Sequence, residues 1–167
     1  MSYISEQLLT INLNIHPSNI KTDIDNVIKQ KLKEKMEGKC SENGYVIEGS
    51  TTIIKRSMGS ISTFNNCSMI KYTITYKAKI ISPTEGTKMD IYVNNVNKMG
   101  VFGYIKLGKK DIENIDDSPA IIIIPKEYFN DDISIENFNK NDKINIIVVG
   151  CRIKYNSDKI QIIGKPL

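Results

Sequence analysis

A single histidine, His16, serves all 167 residues, and this scarcity excludes several chemistries at once. A Ser-His-Asp triad, a Cys-His pair or a histidine-based metal site would have to use that one ring. His16 stands beside Pro17 at the end of a strand-like run, where a solvated turn residue is expected. Three cysteines, Cys40, Cys67 and Cys151, are an odd number with no close pair. That argues against a disulfide framework and a zinc site, and for reduced thiols. No apolar run approaches the ~20 residues that crossing a bilayer needs. The opening MSYISEQLLT has no basic flank followed by an apolar block, so no secretory signal is expected. The motifs GxxxxGKS, GxxxxGKT, GxGxxG, HExxH, CxxC and DxDxDG are all missing. Asp116-Asp117 is an adjacent acidic pair, but neighbouring side chains point apart and rarely share a metal. No catalytic residue, metal or cofactor emerges. The chain reads as a binding or assembly module and not as an enzyme on its own.

What is present is a globular mix, with 40% hydrophobic and 25% charged residues. The length suits one ordinary domain or two small ones. Isoleucine, asparagine and lysine are abundant, while arginine is confined to Arg56 and Arg152, which points to an A/T-rich source genome. Leu9, Ile11, Leu13 and Ile15 alternate with polar neighbours, the period of a half-buried strand. A helix follows, capped by Asp23 or Thr22. Ile20, Ile24, Val27, Ile28, Leu32 and Met36 share one face, and Gly38 is the expected stop. Lys29, Lys31, Lys33 and Lys35 form the opposite, solvated face. A strand beginning at Tyr45-Val46-Ile47 continues through Thr51–Ile54, and a polar loop is expected from Lys55 to Ser68. The clearest strand has Ile70, Tyr72, Ile74, Tyr76, Ala78 and Ile80 on one face. Lys71, Thr73, Thr75, Lys77 and Lys79 occupy the other.

Pro83-Thr84-Glu85-Gly86 is a turn, which places a domain boundary between residues 1–82 and 83–167. Beyond it, strands are expected near Lys88–Asn95, Val101–Leu107, Ala120–Ile124, Lys143–Tyr155 and Lys159–Ile163. Pro125–Phe129 can form one helical turn. Five short strands suggest a small closed barrel, most simply an OB-fold. The fold class is therefore α+β, mostly β.

Net charge is only +4, but it is unevenly spread. Up to Ser82 there are 11 basic and 7 acidic residues; beyond it there are 12 of each. The stretch Asp111–Asp142 holds 2 basic and 9 acidic residues, and its −7 leaves +7 on the rest of the second half. The reading is a basic barrel with an acidic insertion, 111–142. Phe102, Tyr104 and Tyr155 interleave with Lys98, Lys106, Arg152 and Lys154. Stacking rings among cations are the physical recipe for binding a single strand. Core packing is the equal alternative for Tyr104 and Tyr155, and the favoured one for Phe102. The charge split also suggests that Asp131, Asp132 and Glu136 compete with phosphate for the barrel face.

A strand-helix-strand domain, a long alternating strand, a turn and a barrel resemble the seventh subunit of eukaryotic RNA polymerase II and the E subunit of the archaeal enzyme. The resemblance rests on Tyr76-Lys77-Ala78 followed by Pro83 and Gly86, and on Asn97-Lys98-Met99-Gly100-Val101-Phe102 as the turn into the second barrel strand. It rests also on Gly59-Ser60-Ile61 at the tip of the first domain. The opening Leu13-Asn14-Ile15 and Gly38-Lys39-Cys40 look most like the versions carried by large DNA viruses. The family's glycine-aspartate-glycine loop is replaced here by Asn65-Asn66-Cys67-Ser68. The resemblance implies an RNP-like tip domain followed by an OB barrel, in a non-catalytic stalk subunit. Its tip, Arg56, Met58, Gly59, Ser60 and Ile61, would contact the largest polymerase subunit and the clamp base. Lys98, Phe102, Tyr104, Lys106, Arg152 and Lys154 would face nascent single-stranded RNA. A small helical fourth-subunit-like partner is implied as an option. The virion and host cytoplasm are the expected locations, with the nucleus an option, and no membrane is involved. The alternative is a free-standing OB protein that binds single-stranded nucleic acid.

Overall fold

The computed structural model describes residues 3–20, 23–107, 112–129 and 135–167. Strand β1 (Ile4–Ile15) buries Leu13 and Ile15 and exposes Asn12 and Asn14 between and beside them, as the alternation requires. His16 ends it as an exposed turn residue, its Nδ1 accepting from the Ser18 amide at 3.1 Å. Helix α1 (Ile24–Met36) buries Ile28, Leu32 and Met36 at four-residue spacing and exposes Lys29, Lys31 and Lys35. Asp23 occupies the N-cap position without a side-chain cap bond; its carboxylate instead accepts from the side-chain Nδ2 of Asn26. Thr22 lies outside the described residues. The helix stops at Met36, just before Gly38 at φ +74.

The expected strand from Tyr45 to Ile54 is broken in two. β2 (Cys40–Ser41) and β3 (Gly44–Val46) form a tight hairpin, and β4 (Thr52–Arg56) begins only after a turn through Gly49 at φ +76. The expected loop Lys55–Ser68 is also corrected. β4 runs to Arg56, and β5 (Ser60–Phe64) pairs antiparallel with β6 (Cys67–Ile81). The physical reason is Asn65-Asn66, with φ of 50 and 62. Two adjacent residues at positive φ form the mirror-image turn whose twist matches a hairpin, and asparagine tolerates that region better than other side chains. The sheet order is β1-β6-β3-β2, with β4 and β5 also pairing with β6. One core holds Leu13, Ile15, Ile28, Leu32, Val46, Ile74 and Tyr76. Each such side chain contributes roughly 1.5–3 kcal/mol on burial.

β7 (Lys88–Asn97), β8 (Gly100–Tyr104), β9 (Ala120–Pro125), β10 (Lys143–Arg152) and β11 (Ile160–Pro166) close a barrel in the order β10-β11-β9-β8-β7. β7 closes it against β10, and β9 runs parallel to β11. This is an OB-like barrel. Ile91, Val101, Ile122, Ile146 and Ile162 are fully buried in this unit. Within the acidic stretch 111–142 lies β9, where a strand is expected at Ala120–Ile124, paired with β8 on one side and β11 on the other. The acidic residues flank an isoleucine-rich strand that closure of the barrel requires. Two compact units result, Glu6–Lys39 with Val46–Ile80, and Met1–Ser5 with Cys40–Tyr45 and Ile81–Leu167.

All three cysteines are free: Cys40 is buried, Cys151 half-buried and Cys67 exposed. Burial, with Cys151 and Asp158 adding, pushes the Cys40 thiol from 9.0 up to about 11. A buried protonated thiol is a poor nucleophile. A disulfide-exchange reagent at pH 8 is therefore expected to label the native protein rapidly once, at Cys67, and Cys67→Ser should remove that phase. The unfolded chain releases the Cys40 proton at a lower pH than the folded one. That contribution to stability is present below pH 9 and is lost as pH rises towards 11.

Candidate docking tip and nucleic-acid face

The link between β4 and β5 forms the tip of the first unit. Gly59 lies so close to β6 that a Cβ there would sit 2.7 Å from Ile70 Cγ2 and 3.0 Å from Tyr72 Cζ. Only glycine allows this approach. Its neighbours point the other way. Met58 is 89% exposed and Ile61 81%, and Ser60 is exposed between them. Arg56 is held from within: its Nε donates to Asp25 Oδ1 at 2.6 Å, and its guanidinium lies 5.7 Å from the centre of the Tyr72 ring. The tip is thus a braced loop that presents two large apolar side chains to solvent.

On the barrel, the outer face of β8 and β9 carries Phe102, Ile121 and Ile123, all half-buried, with Phe102 opposite Ile123. Exposed Ile163 on β11 extends this row beside Ile123. The β7–β8 turn, with exposed Lys98 and Met99, lies at one end of that face. The β10–β11 loop, with exposed Lys154 and Tyr155, lies at the other, just beyond exposed Arg152 at the end of β10. In OB folds the face of strands 2 and 3, with its 1–2 and 4–5 loops, binds oligonucleotides. Here those elements are β8, β9 and these two connections.

Two of the sequence-predicted RNA residues sit differently. Tyr104 is fully buried, and its hydroxyl donates to Asn141 Oδ1 at 2.7 Å. Burial raises its pKa, with Glu113 and Tyr92 adding. It fills the fold and is not open for stacking, because the ring of Tyr92 lies 5.9 Å away and the 139–142 turn covers it. Lys106 extends back over Tyr92, its Nζ 4.5 Å from the ring centre, a cation–π contact. Sequence reasoning missed Tyr92, although it lies two residues before Asn94 in an alternating strand that also exposes Asp90.

The 153–159 end also carries opposing charge. The ammonium of Lys159 donates to the carbonyls of Ile115, Asp116 and Ser118 at 2.6–2.7 Å, and the Ile115 amide donates to Asn94 Oδ1. This pins the segment bearing Glu113, Asp116 and Asp117 beside Asp158. Burial lowers the Lys159 pKa, while Asp116, Asp117 and Asp158 push it back up. Asp131 and Asp132 lie outside the described residues, and Glu136 stands in a short 3-10 turn, Ile135–Asn137. No group of His, Cys, Asp and Glu able to hold a metal occurs among the described residues, and no helix among them is long and apolar enough to cross a membrane.

Residues 10–48 match the "SHS2 domain found in N terminus of Rpb7p/Rpc25p/MJ0397". A protein of Acanthamoeba polyphaga mimivirus, named as a DNA-directed RNA polymerase subunit, is 25% identical over 167 residues. That alignment covers 93% of this chain and 77% of the viral protein. DNA-directed RNA polymerase II subunit rpb7 of Schizosaccharomyces pombe is 29% identical over 101 residues, covering 58% of this chain and 56% of the yeast subunit. Over its N-terminal signature the chain is similar to Rpb7-like subunits of RNA polymerases, and its similarity to the viral relative extends along most of its length.

Proposed function

We propose that the chain is a non-catalytic stalk subunit of a multisubunit DNA-directed RNA polymerase. It docks through the tip Arg56, Met58, Gly59, Ser60 and Ile61 onto the largest subunit and the clamp base, and guides nascent RNA along its barrel. It works in the virion and at the viral transcription site in the host cytoplasm. The observation that carries this reading is the braced tip with Met58 and Ile61 almost fully exposed. Large apolar side chains held rigidly in water fit a surface that a partner covers, and the relatives are polymerase subunits. The test is affinity isolation from the native source at moderate salt. The tag is placed at the C-terminus, where Leu167 is exposed. Large polymerase subunits in equal stoichiometry are expected. Recovery of nucleic acid alone, removed by salt, would instead favour a free-standing single-strand binder.

RNA guidance is assigned to Lys98, Phe102, Arg152 and Lys154, with Tyr155 as a further ring. Lys98→Ala should lower the slope of log affinity against log salt by about 0.7, the share of one phosphate contact on a single strand. Phe102→Ala should weaken binding about ten-fold with the slope unchanged, as loss of one stacked base does. Titration of a fluorescent oligouridylate at several salt concentrations measures both.

A further inference from the structure

The short 3-10 turn that follows β9, Lys126–Tyr128, has no part in the barrel's closure. Its place is set by two features. Gly100 pairs with Pro125, and the Lys126 amide donates to the Met99 carbonyl at 3.0 Å. The turn therefore lies directly against the β7–β8 turn that carries Lys98. Lys98, Met99, Lys126 and Tyr128 are all exposed, Met99 at 76% and Tyr128 at 38%. Glu127 is the opposing charge among them, so these two adjoining turns carry two ammonium groups and an aromatic ring with a net charge of +1. The other end of the face is less favourable to phosphate. There Lys106, Arg152 and Lys154 are set against Glu113, Asp116, Asp117 and Asp158, and Lys159 spends its charge on backbone carbonyls.

We propose that Lys126 and Tyr128, together with Lys98, form a second single-strand subsite on the barrel, in which Tyr128 stacks on a base and the two lysines hold the flanking phosphates. This rests on the reading of the barrel as an RNA guide and locates its stronger contact at the β7–β8 end. Phe102 lies on β8 two residues from Gly100, about 7 Å along the strand, and Tyr128 lies in the turn that follows Pro125, the partner of Gly100. Stacking on an aromatic ring is tolerant of sequence, and cations beside the ring hold the backbone. A single strand is the occupant that uses both. A protein segment would instead be drawn to the apolar row Phe102, Ile123 and Ile163.

The experiment is anisotropy titration of an oligouridylate of about twelve nucleotides, within the ~4–16 that one OB fold covers, against the full chain and its variants. Tyr128→Ala should weaken binding about ten-fold with the salt slope unchanged, and Tyr128→Phe, which keeps the ring, should restore it. Lys126→Ala should lower the slope by about 0.7. If Tyr128→Ala lowers the melting temperature, Lys126→Ala and Tyr128→Phe decide the matter, since each leaves the turn's packing in place. Wild-type binding by both Lys126→Ala and Tyr128→Ala, alongside a loss in Phe102→Ala, would overturn the subsite and leave the RNA-guide reading standing. Absence of binding by the unmodified chain would overturn that reading and the subsite with it.

Discussion

Met58→Asp combined with Ile61→Asp is expected to abolish association with the polymerase core while leaving the fold intact. Both side chains are almost wholly in solvent, at 89% and 81% exposure, and substitutions at such positions usually change stability by no more than ~0.5 kcal/mol. The melting temperature of the double variant should therefore match that of the unmodified chain. Docking is a different matter. Apolar residues that a partner buries at the centre of an interface commonly contribute about 2 kcal/mol or more each. A carboxylate in the same place must also be desolvated without a partner. The combined loss corresponds to at least about a thousand-fold in affinity, enough to remove the subunit from purified complexes. Stable recovery of the double variant with the core would refute the tip assignment. Arg56→Ala should act more gently, because its guanidinium is already engaged by Asp25 and Tyr72 and braces the tip from behind.

The largest effect on stability is expected at Gly100. Its φ is +146, and a Cβ there would stand 2.1 Å from the Ile124 carbonyl oxygen and 3.1 Å from the Lys126 amide nitrogen. Both atoms belong to backbone that pairs β8 with β9 or continues it, so neither can swing aside as a flexible side chain would. Gly100→Ala must open the ladder or strain the turn, at a cost of about 4 kcal/mol or more. For a chain of this size that lowers the melting temperature on the order of 10 °C. Gly150→Ala is the control. Nothing lies within 4 Å of its added Cβ, and a change within ~0.5 kcal/mol is expected. Equal melting of the two variants would show that the β7–β8 turn relaxes far more easily than its backbone contacts allow.

These two sites differ in how far they could be read in advance. The tip residues were named from a resemblance, and their exposure agrees with the apolar character of Met58 and Ile61 in a polar run. The hairpin that carries them was missed, because Asn65-Asn66 looks like loop composition until both residues are seen at positive φ. For Tyr104 the sequence leaves core packing and stacking as equal readings, because it alternates along β8 with buried Val101 and Gly103. It is buried because Asn141 and the ring of Tyr92 close over it.

The spacing of apolar residues along the chain placed helix α1, the long alternating strand β6 and strands β7 to β11, and the one histidine limits the chemistry open to the chain. Each is a local or compositional property. The spacing of apolar residues along a strand or helix dictates which face must leave water, and an absent residue type cannot act. Tertiary structure alone decided which outward side chains stay exposed, that Lys159 spends its charge on backbone carbonyls, and that the turn carrying Lys126 and Tyr128 lies against the one carrying Lys98. Those outcomes depend on strand register and on what packs over each face, which bring residues distant in sequence within bonding range.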